Sequence, residues 1–403
     1  MKGEGGKQRV LHVIADLGAG GVQSSLARSL PRLMAGPFEH ELCVLSAGGP
    51  YEAPIRALGV PLHRLRRRGR FDPTLPAQAA RLMRERKIDI VHTLAFTANA
   101  WGRVAARMAR VPRVIAHERG TAWTESAAMR LVDRLLYPTT DLWLANSDAA
   151  LIVLRERVGL PGAKLRRLYN GIPAAGDERG ALRALLGLRD EVPLVGAVGR
   201  LDTPKGYSTL LRALPALWAA RPDTHVAIIG DGPLRPALHA EAARLGIAAD
   251  ERLHWLGFRA DAPALVADLD LLLHPALREA LGNVLIEAAL AGVAAIASDV
   301  DGCPEVVSDG ETGLLLRGTL PPDPAPRGST PLPALVVDGA TRTLRPPLAL
   351  EPSALAAAAL TLLDDPARRA AMGAAARRRA AARFSMAQYV AGLEAAYAGG
   401  EAP

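Results

Sequence analysis

Two cysteines among 403 residues, Cys43 and Cys303, exclude a disulfide framework and a close-spaced zinc site. The chain is therefore expected in a reducing compartment. Aromatic residues make up only 4% of it and no nucleic-acid module is recognisable, which argues against a nucleic-acid partner. Long apolar runs are also missing. The longest are around ten residues, against the roughly 20 needed to cross a bilayer. The opening segment, Lys2 to Arg9 followed by VLHVIADLG, lacks a cleavage site and carries His12 and Asp16, so it reads as a buried strand rather than a signal peptide. A cytoplasmic location is expected, with any membrane contact peripheral. No P-loop, no Ser-His-Asp arrangement and no H-E-x-x-H is found.

The chain is 49% apolar with a mean hydropathy of +0.11, enough for a large core and too much for a disordered chain. Its net charge of +8 is unevenly placed. Residues 1–172 hold 27 Lys/Arg and 14 Asp/Glu, whereas residues 173–403 hold 22 and 27. Opposite balances suggest two domains, the first facing something anionic.

Short apolar runs alternate with amphipathic stretches. Strands are expected at 9–15, 40–46, 60–65, 88–92, 112–116, 141–145 and 165–169, with helices between them. The rhythm restarts at 193–199 and continues at 224–230, 252–256, 269–273, 293–297 and 313–316. Such β-α alternation predicts an α/β fold of two Rossmann-like, doubly wound parallel-sheet domains. The expected plan is an N-terminal domain at 1–172, a loose joint at 173–191 and a second domain at 192–383, with a last helix in 384–403. Ligands of doubly wound sheets sit beyond the carboxyl ends of the strands, so a cleft between the domains is the expected site. Residues 318–350 are dense in proline and read as an exposed loop insertion, with a short hairpin near Ala334–Val337 and Thr341–Leu344.

Several residue sets could carry chemistry. Gly18, Gly20 and Gly21 follow the first strand and precede a helix, where backbone can approach an anion; the dinucleotide fingerprint G-x-G-x-x-G is not met. Arg200 and Lys205 follow the first strand of the second domain and can clamp a pyrophosphate, one as a planar fork and one as a point charge. Glu279 and Glu287 stand eight apart around Gly282-Asn283, placing the first in a loop and the second in the opening turns of a helix. Amides at 281–284 could then take a phosphate while the carboxylates accept sugar hydroxyls. Asp268-Leu-Asp270 and Asp299-Val-Asp301 match D-x-D, but read as strand borders rather than metal ligands. His117, in His117-Glu118-Arg119-Gly120 beyond the fifth strand, could contact a hydroxyl or transfer a proton.

Taken in order, these pieces resemble the retaining glycosyltransferases of the GT-B fold, specifically family 4. The matching segments are GAGGVQSSLARSL (18–30), DIVHTL (89–94), HERG (117–120), ANSDAA (145–150), YNGIP (169–173) and VGRLDTPKGYSTLLRAL (198–214). They continue with IIGDGPLR (228–235), LGFRAD (256–261), HPALREALGNVLIEAALAG (274–292), DGCPEVVSDGETGLLL (301–316) and the dipeptide DP (365–366). The resemblance spans nearly the whole chain apart from the proline-rich insertion, and it implies that the last helix, in 384–403, crosses back to the first domain.

The resemblance implies a nucleotide-diphosphate-sugar donor in the second domain and neither a metal nor another cofactor. Arg200 and Lys205 would hold the diphosphate, Glu287 the ribose, and Glu279 the donor sugar as a catalytic residue. Leu281, Gly282, Asn283 and Val284 would add anion contacts, and Gly257, Phe258 and Arg259 would border the base. Gly20 and Gly21 would approach from the other domain, and His117 would be the second catalytic residue, beside the sugar hydroxyls. Cys303 stands where a second glycine is more frequent.

The expected reaction moves a hexose to an envelope lipid, a lipopolysaccharide or a lipid-linked oligosaccharide. The basic run His63-Arg64-Leu65-Arg66-Arg67-Arg68-Gly69-Arg70 would meet an anionic membrane surface at its inner face. A soluble sugar or glucan acceptor is the alternative within the enzyme class; a nucleotide-sugar-binding protein without turnover is the alternative outside it.

Overall fold

The structure is a computed structural model and describes residues 6–18, 20–46, 48–66, 72–120, 122–173 and 179–400. The chain divides into two units, Met1–Pro173 with Phe384–Pro403, and Ala174–Arg383. Each is built on one parallel sheet.

In the first unit the strands are β1 (Arg9–Ile14), β2 (Glu39–Val44), β3 (Leu62–Arg64), β4 (Ile90–Leu94), β5 (Arg113–Glu118), β6 (Leu142–Ala145) and β7 (Leu165–Arg167). Their order is β3-β2-β1-β4-β5-β6-β7. β1 is flanked on both sides, Arg9 opposite Glu39 and Val10 opposite Ile90. Val10, Leu11, Val13 and Ile14 are at most 1% exposed, which is why β1 is almost uniformly apolar rather than alternating. Helices Gly21–Met34, Leu75–Glu85 and Ala95–Ala109 cover the faces. The terminal helix Met386–Ala398 belongs to this unit. Its Tyr389, Leu393 and Tyr397 pack into one cluster with Val10, Leu33, Ile90 and Ile115.

One buried row in this sheet is polar. His40 Nδ1 lies 3.0 Å from His12 Nε2, His92 Nε2 lies 3.2 Å from His117 Nδ1, and Tyr397 Oη lies 2.9 Å from His92 Nδ1. The His12 and His92 rings stand 5.3 Å apart across the β1–β4 pairing. Neutral imidazoles can pair in this way in an apolar setting at far lower desolvation cost than charged ones, although His12 Nδ1, His40 Nε2 and His117 Nε2 find no partner among the described residues. Burial lowers all four histidines, and neighbouring groups that would be charged if protonated or are charged (His40 and His92 for His12, Arg119 for His117) lower them further.

The second unit carries β8 (Leu194–Val198), β9 (His225–Ile229), β10 (Leu253–Gly257), β11 (Leu271–His274), β12 (Ala295–Ser298) and β13 (Gly313–Leu316), in the order β10-β9-β8-β11-β12-β13. In both sheets the chain reverses direction beside its first strand, between β1 and β4 and between β8 and β11. Such switch points leave a crevice at the carboxyl ends.

The structure departs from the sequence expectations in three places. The joint at 173–191 is not loose throughout: Ala181–Leu186 is a helix. Its cap comes from far along the chain, where the buried Asp268 carboxylate accepts from Gly180 N, Leu182 N (2.5 Å) and Arg183 N (3.3 Å). Asp270 likewise accepts from Leu194 N and from the Arg183 guanidinium, both at 2.8 Å. Next, β5 runs further than expected. Pairing of His117 with Leu144 and of Glu118 with Ala145 extends it, so His117 is in the strand and not in the loop beyond it. Finally, the proline-rich insertion is not a wholly exposed loop. Val336, Val337 and Asp338 are at most 1% exposed, and the hairpin pairs Val336–Val337 with Leu344–Arg345.

Of the basic run, Arg67, Arg68 and Arg70 lie outside the described residues. His63 pairs with Glu41 at 2.7 Å, and Arg64 pairs with Glu52. Among the described residues no helix is long and apolar enough to cross a membrane.

The histidine ladder makes the first unit acid-sensitive. Folded histidines with lowered pKa values bind fewer protons than the unfolded chain, so stability is complete above the unfolded value of 6.5. It falls as pH drops below that, down to about 4, where His40 itself protonates. Each neutral histidine contributes a slope of up to about 1.4 kcal/mol per pH unit. Denaturant unfolding followed from neutral pH to about pH 5 should show this loss; a flat profile would mean the ladder is not buried and neutral.

Candidate functional site

The crevice of the second unit is lined by the segments that follow β8 and β11. After Val198 the chain makes one short turn of helix at Thr203–Lys205, opened by Asp202, whose carboxylate accepts from Thr203 N at 2.9 Å. Gly206 then adopts φ +68°, and a Cβ there would come 1.9 Å from the Pro275 carbonyl oxygen. Only glycine combines that left-handed backbone with so close an approach. The two loops are thus pressed together. Pro204 O accepts from Leu277 N at 2.9 Å and from Arg278 N at 3.3 Å.

This contact sets Lys205 beside Glu279. The Lys205 ammonium pairs with Glu279 Oε2, and His274 Nε2, at the end of β11, meets the same oxygen at 2.9 Å. The Glu279 side chain is 12% exposed and that of His274 is 4% exposed. Burial alone would raise the Glu279 carboxyl. The Lys205 charge and the His274 hydrogen bond outweigh it and hold the group well below the usual carboxylate range. Burial lowers His274, so its neutral imidazole donates from Nε2. The backbone N–H of Glu279 donates to Asp301 Oδ2 at 3.0 Å. Asp301 is buried at φ +48°, a strained conformation for a non-glycine residue.

The helix Asn283–Ala291 begins just beyond, with Gly282 at φ +92° as its cap, a residue with no side chain to cap it. Leu281 and Gly282 are buried, and Asn283 and Val284 partly so. Glu287 is the fifth residue of this helix and is partly buried, in line with a loop position for Glu279 and a helical one for Glu287. The arrangement puts a cation, the carboxylate paired with it and a helix N-terminus beside one crevice, a combination suited to a diphosphate bearing a polyol.

Arg200 lies in the same loop as Lys205. Its side chain is 65% exposed, and its Nε lies 3.3 Å from Asp202 Oδ2. Gly257 closes β10 at the sheet edge with φ +64°. Phe258, 72% exposed, follows it, and Arg259 is paired with Asp261 at 2.6 Å.

In the first unit, Gly20 caps the helix Gly21–Met34 in extended conformation, φ −159°, with the Gln23 side chain packed over its α-carbon. Gln23 in turn donates to Asp16 Oδ1 at 3.0 Å. His117 is fully buried; its Nδ1 meets His92, and its Nε2 has no partner among the described residues. Glu118 serves as a local cap, Oε1 accepting from Arg119 N at 2.9 Å and Gly120 N at 3.1 Å. Cys303 is buried, and its thiol is pushed well above the ordinary value, first by burial and then by the charges of Glu279 and Asp301.

Sequence reasoning missed His274, Asp202 and Asp301. His274 stands five residues before Glu279 within a quoted motif, yet a histidine at the end of an apolar run is indistinguishable by pattern from a core residue. Asp202 and Asp301 take their partners from distant parts of the chain, Thr330 and Val337, which the local D-x-D spacing around Asp301 does not reveal.

Two parallel doubly wound sheets with this crevice define the GT-B class. The solved structure of HepE from Anabaena in complex with UDP and glucose superposes with a TM-score of 0.75 at 21% identity, over 97% of this chain and all of that one. WaaG, a glycosyltransferase involved in lipopolysaccharide biosynthesis, gives a TM-score of 0.69 at 18% identity, over 97% of this chain and all of that one. Residues 19–175 match the pattern described as Glycosyltransferase Family 4, and residues 192–325 that of Glycosyl transferases group 1. A GDP-mannose-dependent alpha-(1-6)-phosphatidylinositol monomannoside mannosyltransferase of Mycolicibacterium smegmatis is 32% identical over 263 residues, 62% of this chain and 68% of that protein. A monoacylated-substrate counterpart in Corynebacterium glutamicum is 30% identical over 266 residues, 61% of this chain and 68% of that protein. The chain belongs to the family 4 glycosyltransferases and is a glycosyltransferase.

The Lys205–Glu279 pair predicts a pH-dependent stability difference between the wild type and Glu279→Gln. With its folded pKa held below the unfolded 4.5, Glu279 stabilises the fold above that pH and loses the contribution as pH falls. Chemical denaturation should find the wild type the more stable protein at neutral pH, and the two should converge as pH drops below about 4.5. A difference that stays constant with pH would show that the pair does not form.

Proposed function

We propose that this enzyme moves a hexose, with retention, from a nucleotide-diphosphate sugar to a lipid-borne acceptor of the cell envelope. The observation that carries the donor assignment is the Lys205–Glu279–His274 cluster at the β8/β11 switch point, with Arg200 in the adjoining loop. A diphosphate fits between Lys205, Arg200 and the start of the helix Asn283–Ala291; Glu279 accepts hydroxyls of the sugar and Glu287 those of the ribose. Leu281 to Val284 contribute backbone N–H groups. Gly257, Phe258 and Arg259 border the base, Phe258 offering an exposed ring face.

As the bond from the anomeric carbon to the phosphate oxygen breaks, negative charge grows on the diphosphate. The Lys205 and Arg200 cations are already in place to meet it. The acceptor oxygen bonds to the anomeric carbon on the same face, and its proton passes to the departing phosphate oxygen. Atoms and charge balance without a protein nucleophile. Lys205 is held by Glu279 before any ligand arrives, so ordering this long side chain is already settled.

The lipid acceptor is supported by the names of relatives. Those include the phosphatidylinositol mannoside enzymes above and a lipopolysaccharide core glycosyltransferase of Rhizobium meliloti, 29% identical over 184 residues. The positive balance of residues 1–172 suits an anionic acceptor or membrane surface at the cytoplasmic face.

Thermal shift with UDP-, GDP- and ADP-sugars should raise the melting temperature for one base and not the others. Radiolabel from that donor should then enter lipid extracts rather than soluble glucans. Glu279→Ala should lower kcat by about 100- to 1,000-fold without a matching loss of the folded protein. Transfer to soluble acceptors alone would overturn the lipid assignment, and full activity in Glu279→Ala would overturn the site.

A further inference from the structure

The proline-rich segment 318–350 reaches both loops of the crevice. Its base is closed by Leu320 and Ala349, whose backbones pair at 3.1 and 2.8 Å. From there it makes two separate contacts. Thr330 N donates to Asp202 Oδ1 at 2.7 Å and Thr330 Oγ1 to Asp202 Oδ2 at 2.5 Å, while Thr203 Oγ1 donates to Ser329 Oγ at 2.9 Å. Asp202 Oδ2 is the atom that faces Arg200 Nε. Further on, Val337 N donates to Asp301 Oδ1 at 2.7 Å, and Val337 O accepts from Asp301 N at 2.8 Å. The other oxygen of Asp301 is the one that receives the Glu279 N–H.

We propose that segment 318–350 is a brace that positions both donor-facing loops, Thr330 setting Asp202 beside Arg200 and Val337 setting Asp301 behind Glu279. It rests on the donor-site reading above. Asp202 and Asp301 are positioning residues: neither belongs to the assigned donor contacts, yet each ties the insertion to a residue that does.

The composition of the segment suits this task. Pro331 confines Thr330 to extended backbone, so both its N–H and its hydroxyl can face the same carboxylate. Ser329 closes a turn on Pro326 O, through its N–H at 3.1 Å and its hydroxyl at 2.7 Å. Prolines on either side reduce the conformations open to the segment, so the contacts are made with little further loss of entropy. At the other end, Arg342 donates to Asp301 O at 3.0 Å and helps hold that residue in its left-handed conformation.

The test uses the full chain without ligand and then with the donor found by thermal shift. Thr330→Val removes the hydroxyl and keeps the shape; Thr330→Ser is the conservative rescue; Asp301→Asn disturbs the second contact. Hydrogen–deuterium exchange is read at the amides of 201–206 and of Glu279, alongside donor KM, kcat and melting temperature. The brace predicts faster exchange at 201–206 in Thr330→Val, with donor KM raised about tenfold by loss of a charge-assisted hydrogen bond. It also predicts recovery in Thr330→Ser, and faster exchange at Glu279 with lowered kcat in Asp301→Asn. Unchanged exchange and KM in folded Thr330→Val, or a lowered melting temperature with KM unchanged, would overturn it. If the wild type turns over no nucleotide sugar while both loops loosen as described, the donor reading fails and the brace stands.

Discussion

A buried carboxylate is tolerated only where positive charge and hydrogen-bond donors surround it, and the Glu279 carboxylate depends on two groups from different parts of the chain. Lys205 comes from the loop after β8 and His274 from the last residue of β11, while Asp301, from beyond β12, holds the Glu279 backbone by accepting its N–H. What brings them together is steric before it is electrostatic. Gly206 lets the first loop press against Pro275, and a side chain at that position would separate the ammonium from the carboxylate. The sheet order then matters, because β8 and β11 are neighbours only at a switch point of the doubly wound topology. The assigned chemistry follows from that closeness: a cation held by a carboxylate before any diphosphate arrives.

The first unit solves a different problem with the same economy of partners. Four histidines sit in one sheet of parallel strands and bond to each other and to Tyr397. Neutral imidazole can act as donor on one side and acceptor on the other, which lets a polar row survive among apolar strands. Tyr397 lies in the terminal helix, so that helix contributes a polar contact to the ladder as well as apolar area to the cluster around Val10 and Ile115.

Much of the fold was legible in the sequence. The strands found lie within a few residues of the short apolar runs, because a strand covered on both faces must be apolar at consecutive positions. Arg200, Lys205, Glu279 and Glu287 stood out because their spacing around glycines is local. The errors have a common cause. The helix Ala181–Leu186 was hidden because its cap, Asp268, is 86 residues from Leu182 in sequence. Thr330 is 128 residues from the carboxylate it meets. The insertion looked like surface because proline-rich composition describes local stiffness and says nothing about burial. The strand extends through His117 because of its pairing with Leu94 of β4 and Leu144 of β6, which no local pattern reveals.

By itself, then, the sequence determined the succession of strands and helices, the parallel α/β class and the identity of the charged residues beside the glycine turns. These depend on periodicity and backbone preference over a few positions. The tertiary structure alone decided that Lys205 and Glu279, 74 residues apart, form a pair, that His274 completes it, and that Asp202 and Asp301 are held by the proline-rich segment. Such contacts exist only once long loops have closed, and nothing local in the chain encodes the partner that closure supplies.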